Sequence, residues 1–288
     1  MGAATDALSD SINQTINNPV IIAVAVVAVI AGGVIAGVLS LIPLIGQLLS
    51  APVVAVVLSG IIGMAYVGAR DQTPASISDY TDTLSEHGVT VFLASLLKNV
   101  AVGVVLVVAA VVFLVVPIFV VGLGGAGATQ PGGTADPDAF GALLAGAGLL
   151  FLLFLFLWFG VVLLAQMLFQ FIDSAIVIGG KDVTGSLSES IDLFTESPGS
   201  VIAFSVLRGL LFLGTIVVVA LASFVGSQIA DSLGIVFAAI GLLVGYPTVG
   251  TVAFVYEARY YMQRRPDAVG EGQEAPTRSG SQAVRQAR

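Results

Sequence analysis

The chain is a succession of long apolar runs separated by short polar stretches. Six runs stand out: Val20 to about Leu41, about Val53 to Ala69, Val89 to Val121, Phe140 to Ile178, Val201 to Val225, and about Leu233 to Tyr261. Each approaches or exceeds the roughly 17–25 apolar residues that cross a ~30 Å hydrocarbon core. None alternates with the period of two that a strand requires, and lipid offers no partner to open strand edges, so the runs predict helices. The expected fold class is therefore all-α: a polytopic membrane protein with six transmembrane helices. The stretch LIPLIGQ around Pro43 joins the first two runs, and GLGGAGATQPGGTADPD separates the third from the fourth. Pro52 is expected to start the second span, and Pro247 in VGYPTVG to kink the sixth, because proline removes a helical hydrogen bond.

The polar stretches repeat. SISDYTDTLSEHGVTVFLASLLK, from Ser76, aligns with SLSESIDLFTESPGSVIAFSVLR, from Ser186, at a constant offset of 110 without a gap. Ser78 meets Ser188, Asp79 meets Glu189, Asp82 meets Asp192, Glu86 meets Glu196 and Lys98 meets Arg208. The N-terminus joins at an offset of 179, with Asp10 on Glu189 and Pro19 on Pro198. The chain thus reads as three pseudo-repeats, about 5–72, 73–184 and 185–262, each a cytoplasmic amphipathic helix followed by a transmembrane hairpin. In the third, Leu187, Ile191 and Phe194 share one helical face and Glu189, Asp192 and Glu196 the other. In the second, Ile77, Tyr80 and Leu84 oppose Asp79, Asp82 and Glu86; in the first, Leu8 and Ile12 oppose Asp10, Asn13 and Asn17. Ser186 and Glu189 have capping-box spacing, and Pro19, Gly88 and Pro198 are expected to end or re-aim these segments. Such helices should lie along the interface with their acids in water.

Composition strengthens the membrane reading. With 57% hydrophobic and 10% charged residues and a mean hydropathy of +1.04, the chain is far from a soluble globule, whose charged fraction is about 25%. The absence of cysteine excludes disulfides and thiolate chemistry. No Lys or Arg precedes the first run, so a secretory signal is not expected and that run reads as a retained span. Arg70, Lys181 and Arg259 close the second, fourth and sixth spans, and Arg264, Arg265, Arg278, Arg285 and Arg288 follow, whereas the opposite turns carry only Asp136, Asp138 and Asp231. The positive-inside rule then places both termini in the cytoplasm of a cell (plasma) membrane protein. Residues 1–265 form one six-span membrane domain in this reading, and 266–288 a disordered cytoplasmic tail.

The run AIVIGGKDVTGSLSESIDLFTESPGSVIAFSVL, residues 175–207, resembles the recurring segment of multi-pass proteins related to the membrane domain of glycerophosphoryl diester phosphodiesterases. Ser186 and Ser190 take its small positions and Leu193 its Leu, while Ile191 stands where an aromatic is usual. The resemblance implies a six-span body with no known catalytic residues, and no phosphodiesterase domain accompanies it. A net charge of −8 with only two lysines, Lys98 and Lys181, resembles the balance of a protein from a salt-loving archaeon.

Polar groups in or near the spans are the remaining candidates for chemistry. Lys98 and Arg208 occupy equivalent repeat positions, and Gln166, Gln170 and Asp173 share a helical face by their i, i+4, i+7 spacing. A continuous fourth span would be about 58 Å long at 1.5 Å per residue, so its Gln and Asp end should protrude into the cytoplasm. Lys98 and Arg208 are expected to snorkel or to pair with Asp173 or Glu257; the alternative is a buried network lining a substrate or proton path. His87 has no second ligand near it and reads as a solvated helix end. Gly33 with Gly37 and Gly241 with Gly245 have the spacing of close helix packing, within the chain or between copies. The Phe-rich stretch around Trp158 reads as lipid-facing bulk.

The chain lacks H-E-x-x-H, G-x-S-x-G, P-loop and dinucleotide fingerprints. No catalytic, cofactor-binding or metal-binding residues are expected, and no cofactor. The function that fits is a non-enzymatic membrane scaffold that docks a partner through acidic interfacial helices, with Asp79, Asp82, Glu86, Glu189, Asp192 and Glu196 as the docking surface. A transporter or permease for a small solute or lipid is the alternative. The expected partners are the lipid bilayer and a cytoplasmic protein, with no nucleic acid; oligomeric state stays open.

Overall fold

A computed structural model describes residues 2–42, 45–128 and 137–267. Pro43, the connector position Asp136, and the tail with Arg278, Arg285 and Arg288 lie outside the described residues. The helices are α1 (Gly2–Asn17), α2 (Pro19–Ser40), α3 (Ile45–Arg70), α4 (Ile77–Ala128), α5 (Pro137–Phe169), α6 (Ile172–Val177), α7 (Val183–Glu196), α8 (Pro198–Ile229), α9 (Asp231–Ile240) and α10 (Tyr246–Arg264). A π-helical turn, Gly241–Gly245, links α9 to α10. The described residues contain no strand. Among the described residues, six segments are long and apolar enough to cross a membrane: Pro19–Ser40, Leu48–Arg70, Ile77–Val111, Leu152–Val177, Pro198–Ile229 and Ser232–Arg264.

The chain divides into two compact units, Met1–Leu96 with Phe169–Arg288, and Leu97–Leu168. In the second, large apolar side chains such as Leu149, Phe156 and Phe159 are exposed. That exposure suits the lipid contact expected of the Phe-rich run.

The first unit is organised around α10, which packs against α1, α2, α3, α6 and α8. Much of its second half is buried: Val255, Tyr256, Glu257, Ala258, Tyr260 and Tyr261 are all below 3% exposed. A helix buried over most of its circumference belongs at the centre of its bundle. Phe171, Phe204, Tyr256 and Tyr260 interlock there with ring centroids 4.5–5.4 Å apart. The hydroxyl of Tyr260 donates to Ser200 Oγ at 2.8 Å, which gives that buried phenol a partner.

Several boundaries differ from the sequence expectation. Pro52 does not start a span; it lies inside α3, which begins at Ile45. Gly88 does not end a segment, because α4 runs unbroken from Ile77. Glycine keeps its N–H and costs a helix only about 1 kcal/mol, whereas proline costs about 3. Pro19 and Pro198 accordingly open new helices at their first turns. His87, set inside this continuous helix, is therefore no solvated helix end; its side chain is only 13% exposed. The start of α4 lies on α3, where a Cβ at Gly60 or Gly63 would collide with Tyr80 and Thr83. Tyr80 also donates to the carbonyl of Val57 at 2.9 Å.

The fourth run is interrupted as well. Helix α5 stops at Phe169 and α6 starts at Ile172, so Gln166 and Asp173 do not share one continuous helical face. The backbone N–H of Phe171 donates instead to Ser190 Oγ in α7, at 3.2 Å. A serine from another helix thus satisfies a donor freed by the break. Gly180, at φ 61°, then turns the chain through the left-handed region after α6. Pro247 is accommodated as expected of a kink, with the π turn immediately before α10.

The interfacial helices bury an unexpected face. In α1 the buried residues are Ala4, Ala7, Ser11 and Thr15, while Ile12 is 38% exposed. In α7 they are Ser186, Ser190 and Leu193, with Leu187 and Phe194 only partly packed. Small residues let helix backbones approach closely, and apolar side chains bordering lipid do not need protein to cover them. Ser186 forms no capping box either: its hydroxyl donates to the carbonyl of Val183, and Asp182 caps α7 by accepting from the N–H of Gly185 at 2.7 Å. A Cβ at Gly33 or Gly37 would meet nothing within 4 Å among the described residues, whereas one at Gly32 would face Val54 and Val57.

Candidate functional site

One cluster of polar side chains in the first unit, Ser174, Arg208 and Glu257, lies between α6, α8 and α10. Glu257 is 2% exposed and both of its oxygens are engaged: Ser174 Oγ donates to Oε1 at 2.9 Å, and Arg208 Nη1 donates to Oε2 at 2.8 Å. The guanidinium of Arg208 also lies over the ring of Phe254, 5.7 Å from its centroid. A buried carboxylate is stable only with such charge and hydrogen-bond compensation. Asp173 adds its negative charge to the surroundings of Glu257. One turn along α8 from Arg208, Ser205 Oγ donates to Gln170 Oε1 at 3.1 Å.

Of the six residues expected to form this network, the structure brings Arg208, Glu257, Asp173 and Gln170 together. Lys98 and Gln166 belong to the other unit, Leu97–Leu168. Ser174 was not anticipated. Nothing in its spacing marks it; its role follows from α6, a helix too short for the periodicity of the fourth run to reveal.

The acids expected to face a partner divide into four environments. Arg265 clamps two of them: its Nε lies 2.5 Å from Glu189 Oε1 and its Nη1 donates to Glu196 Oε2 at 2.8 Å. Burial opposes the charge on Arg265, but the hydrogen bonds and charges of Glu196 and Glu189 outweigh it and hold its pKa above the ordinary arginine value. Asp79 is used locally, accepting from the backbone N–H of Ser76 at 2.7 Å and from its hydroxyl at 2.9 Å. That is half of a capping box at the start of α4. Glu86 lies 3.9 Å from His87 Nε2. Asp82 and Asp192 are exposed, and Asp192 Oδ2 accepts from Ser188 Oγ at 3.4 Å. The role of Arg265 in fixing α7 was missed because the pairing joins positions 69 residues apart.

A protein-family model described as "Domain of unknown function (DUF7847)" matches residues 3–264, from the first turn of α1 to the end of α10. No curated protein and no solved structure matches the chain.

Proposed function

The chain belongs to the DUF7847 family, and from that premise we propose that it is a non-enzymatic multi-pass protein of the cell membrane that docks a cytoplasmic protein through its acidic interfacial faces. In this reading both termini are cytoplasmic and three repeated units each contribute an acid-bearing segment. The observation that carries it is the state of Asp82 and Asp192. These equivalent positions are exposed and outside every ion pair among the described residues, whereas the inward-facing charges of Arg208 and Glu257 are matched. The resemblance of residues 175–207 to the membrane domain of glycerophosphoryl diester phosphodiesterases belongs to the same proposal, as does the archaeal character of the charge balance.

Crosslinking and co-purification from native membranes test the docking. A partner captured by the wild-type chain should be lost from the Asp82→Asn/Asp192→Asn double variant; equal capture by both overturns the reading. Orientation is tested by single cysteines in this cysteine-free chain. A membrane-impermeant maleimide added to intact cells should label Ala230→Cys, in the turn between α8 and α9, and leave Ser188→Cys unlabelled. The reverse pattern overturns the orientation.

One observation favours a transporter as a second reading: an ionisable pair, Arg208 with Glu257, lies in the interior between α8 and α10. Solute uptake into proteoliposomes that disappears with Arg208→Gln would establish it over the scaffold. Repeats in one orientation weigh against it, since transporters commonly use inverted halves.

A further inference from the structure

Where α1 ends and α3 gives way to the connector 71–76, the first unit holds an open cavity of about 520 Å³. This is within the ~300–1,000 Å³ typical of small-ligand sites. The polar face of α1, Asn18, the last turn of α3, the connector and Arg259 of α10 line it.

Asn18 is the N-cap of α2, yet it makes no capping hydrogen bond. An asparagine at this position ordinarily accepts from the next turn and stabilises the helix by about 1 kcal/mol. Here it is 5% exposed, its Oδ1 has no hydrogen-bond partner among the described residues, and it lines the cavity. A buried acceptor without a partner costs about 1–3 kcal/mol, so this wall calls for a hydrogen-bond donor.

Arg259 supplies the complementary demand. Its Nε donates to Gln14 Oε1 at 2.6 Å, and Gln14 Nε2 in turn donates to the carbonyl of Ala65 at 2.8 Å. A neutral amide therefore fixes the guanidinium without cancelling its charge. Asp10, exposed at the rim, acts on it electrostatically, but no carboxylate among the described residues comes within ion-pair distance. The remaining N–H groups of a guanidinium match an oxyanion in a two-pronged geometry.

The backbone is shaped around the same space. Gln72, another lining residue, has φ 53°, a left-handed conformation that costs a residue with a Cβ about 1–2 kcal/mol. Gly68 leaves the floor open, since a Cβ there would be 3.0 Å from Gln14 Nε2 and 3.8 Å from Asn18 Nδ2. The cavity adjoins the start of α2 and the end of α3, two span-length helices. Phosphodiesters are the oxyanions that phospholipids present at that depth.

We infer that this cavity binds a phosphate ester that also carries a hydroxyl or ammonium group, with the phosphate on Arg259 and the donor on Asn18, assisted by Asp10. A lipid headgroup and a soluble phosphate ester share this chemistry. The site is independent of the acidic docking surface.

Native mass spectrometry of the full chain in mixed micelles tests the inference. Phosphatidylglycerol, which offers phosphate and hydroxyls, should be retained over phosphatidylcholine, which has the phosphate but no donor. Retention should fall about tenfold in Arg259→Gln, which removes a charged hydrogen bond, and severalfold in Asn18→Ala, which removes no capping bond and so leaves α2 intact. Lys181→Gln, an exposed charge change away from the cavity, should retain the lipid as the wild type does. Glycerol 3-phosphate identifies the source: displacement of the lipid at millimolar concentration supports the inference with a soluble ester as ligand, and failure to displace supports it with a lipid. Equal retention of phosphatidylcholine, unchanged retention in Asn18→Ala, or an equal loss in Lys181→Gln overturns it.

Discussion

Arg208 and Arg259 sit in the same helical unit and answer the same problem in opposite ways. Arg208 meets a carboxylate, Glu257, that is itself held by Ser174. Arg259 meets a side-chain amide, Gln14, that is anchored to a backbone carbonyl. A carboxylate partner cancels charge and turns the arginine into a strut between α8 and α10. An amide partner sets direction and leaves the charge available. One environment is closed by the chain itself and the other is open to something from outside, although the two acceptors lie in very different parts of the sequence.

That contrast can be broken most forcefully at the closed pair. Arg208→Met leaves the Glu257 carboxylate buried without its counter-charge and should destabilise the protein by about 3–5 kcal/mol, read from SDS-induced unfolding in mixed micelles. The double variant Arg208→Met/Glu257→Leu removes both charges and should regain most of the loss. Next in size, Gln14→Glu makes the open site resemble the closed one. A carboxylate against Arg259 should lower phosphatidylglycerol retention about tenfold, roughly 1.4 kcal/mol, while the ion pair gained is offset by the lost bond to the Ala65 carbonyl, so that stability changes by no more than about 1 kcal/mol. Arg259→Met deletes the bond to Gln14 and the weaker attraction of Asp10 and should cost about 1 kcal/mol of stability, well short of the loss at Arg208. Smallest of all, Glu196→Gln loosens the more exposed of the two ion pairs of Arg265, where Glu196 is 60% exposed, and should stay within about 1 kcal/mol. If Arg259→Met proves as damaging as Arg208→Met, the distinction between strut and open charge fails.

Much of the architecture was legible because apolar runs of spanning length have few alternative fates. The six span-length segments follow from that alone, and the pairing of Arg208 with Glu257 follows from placing few charges in an apolar interior. The break after Phe169 was not legible: Gln170 and Phe171 carry neither proline nor glycine, and the acceptor that stabilises the break comes from Ser190, 19 residues on. Gly88 misled in the other direction, since a glycine that signals a turn in water is easily absorbed by a membrane-length helix. The faces of α1 and α7 were misjudged because hydrophobic periodicity identifies the core only when water is the alternative. Next to lipid, Ile12 can stay outside while Ala7 and Ser11 turn inward. The cavity escaped notice because its walls are ordinary amides, scattered from Asp10 to Arg259 and assembled only by the fold.

The π turn at Gly241–Gly245 has a consequence for how this fold tolerates sequence change. Such a turn holds one residue more than an α turn, and each residue of an α-helix advances the azimuth by about 100°. It therefore acts as a phase shifter for everything downstream. Deleting a single residue there would yield a smoother helix on paper, yet it would swing Glu257, Arg259 and Tyr260 by more than a quarter of a circle, away from Ser174, Gln14 and Ser200 alike. One local irregularity keeps three separate contacts in step.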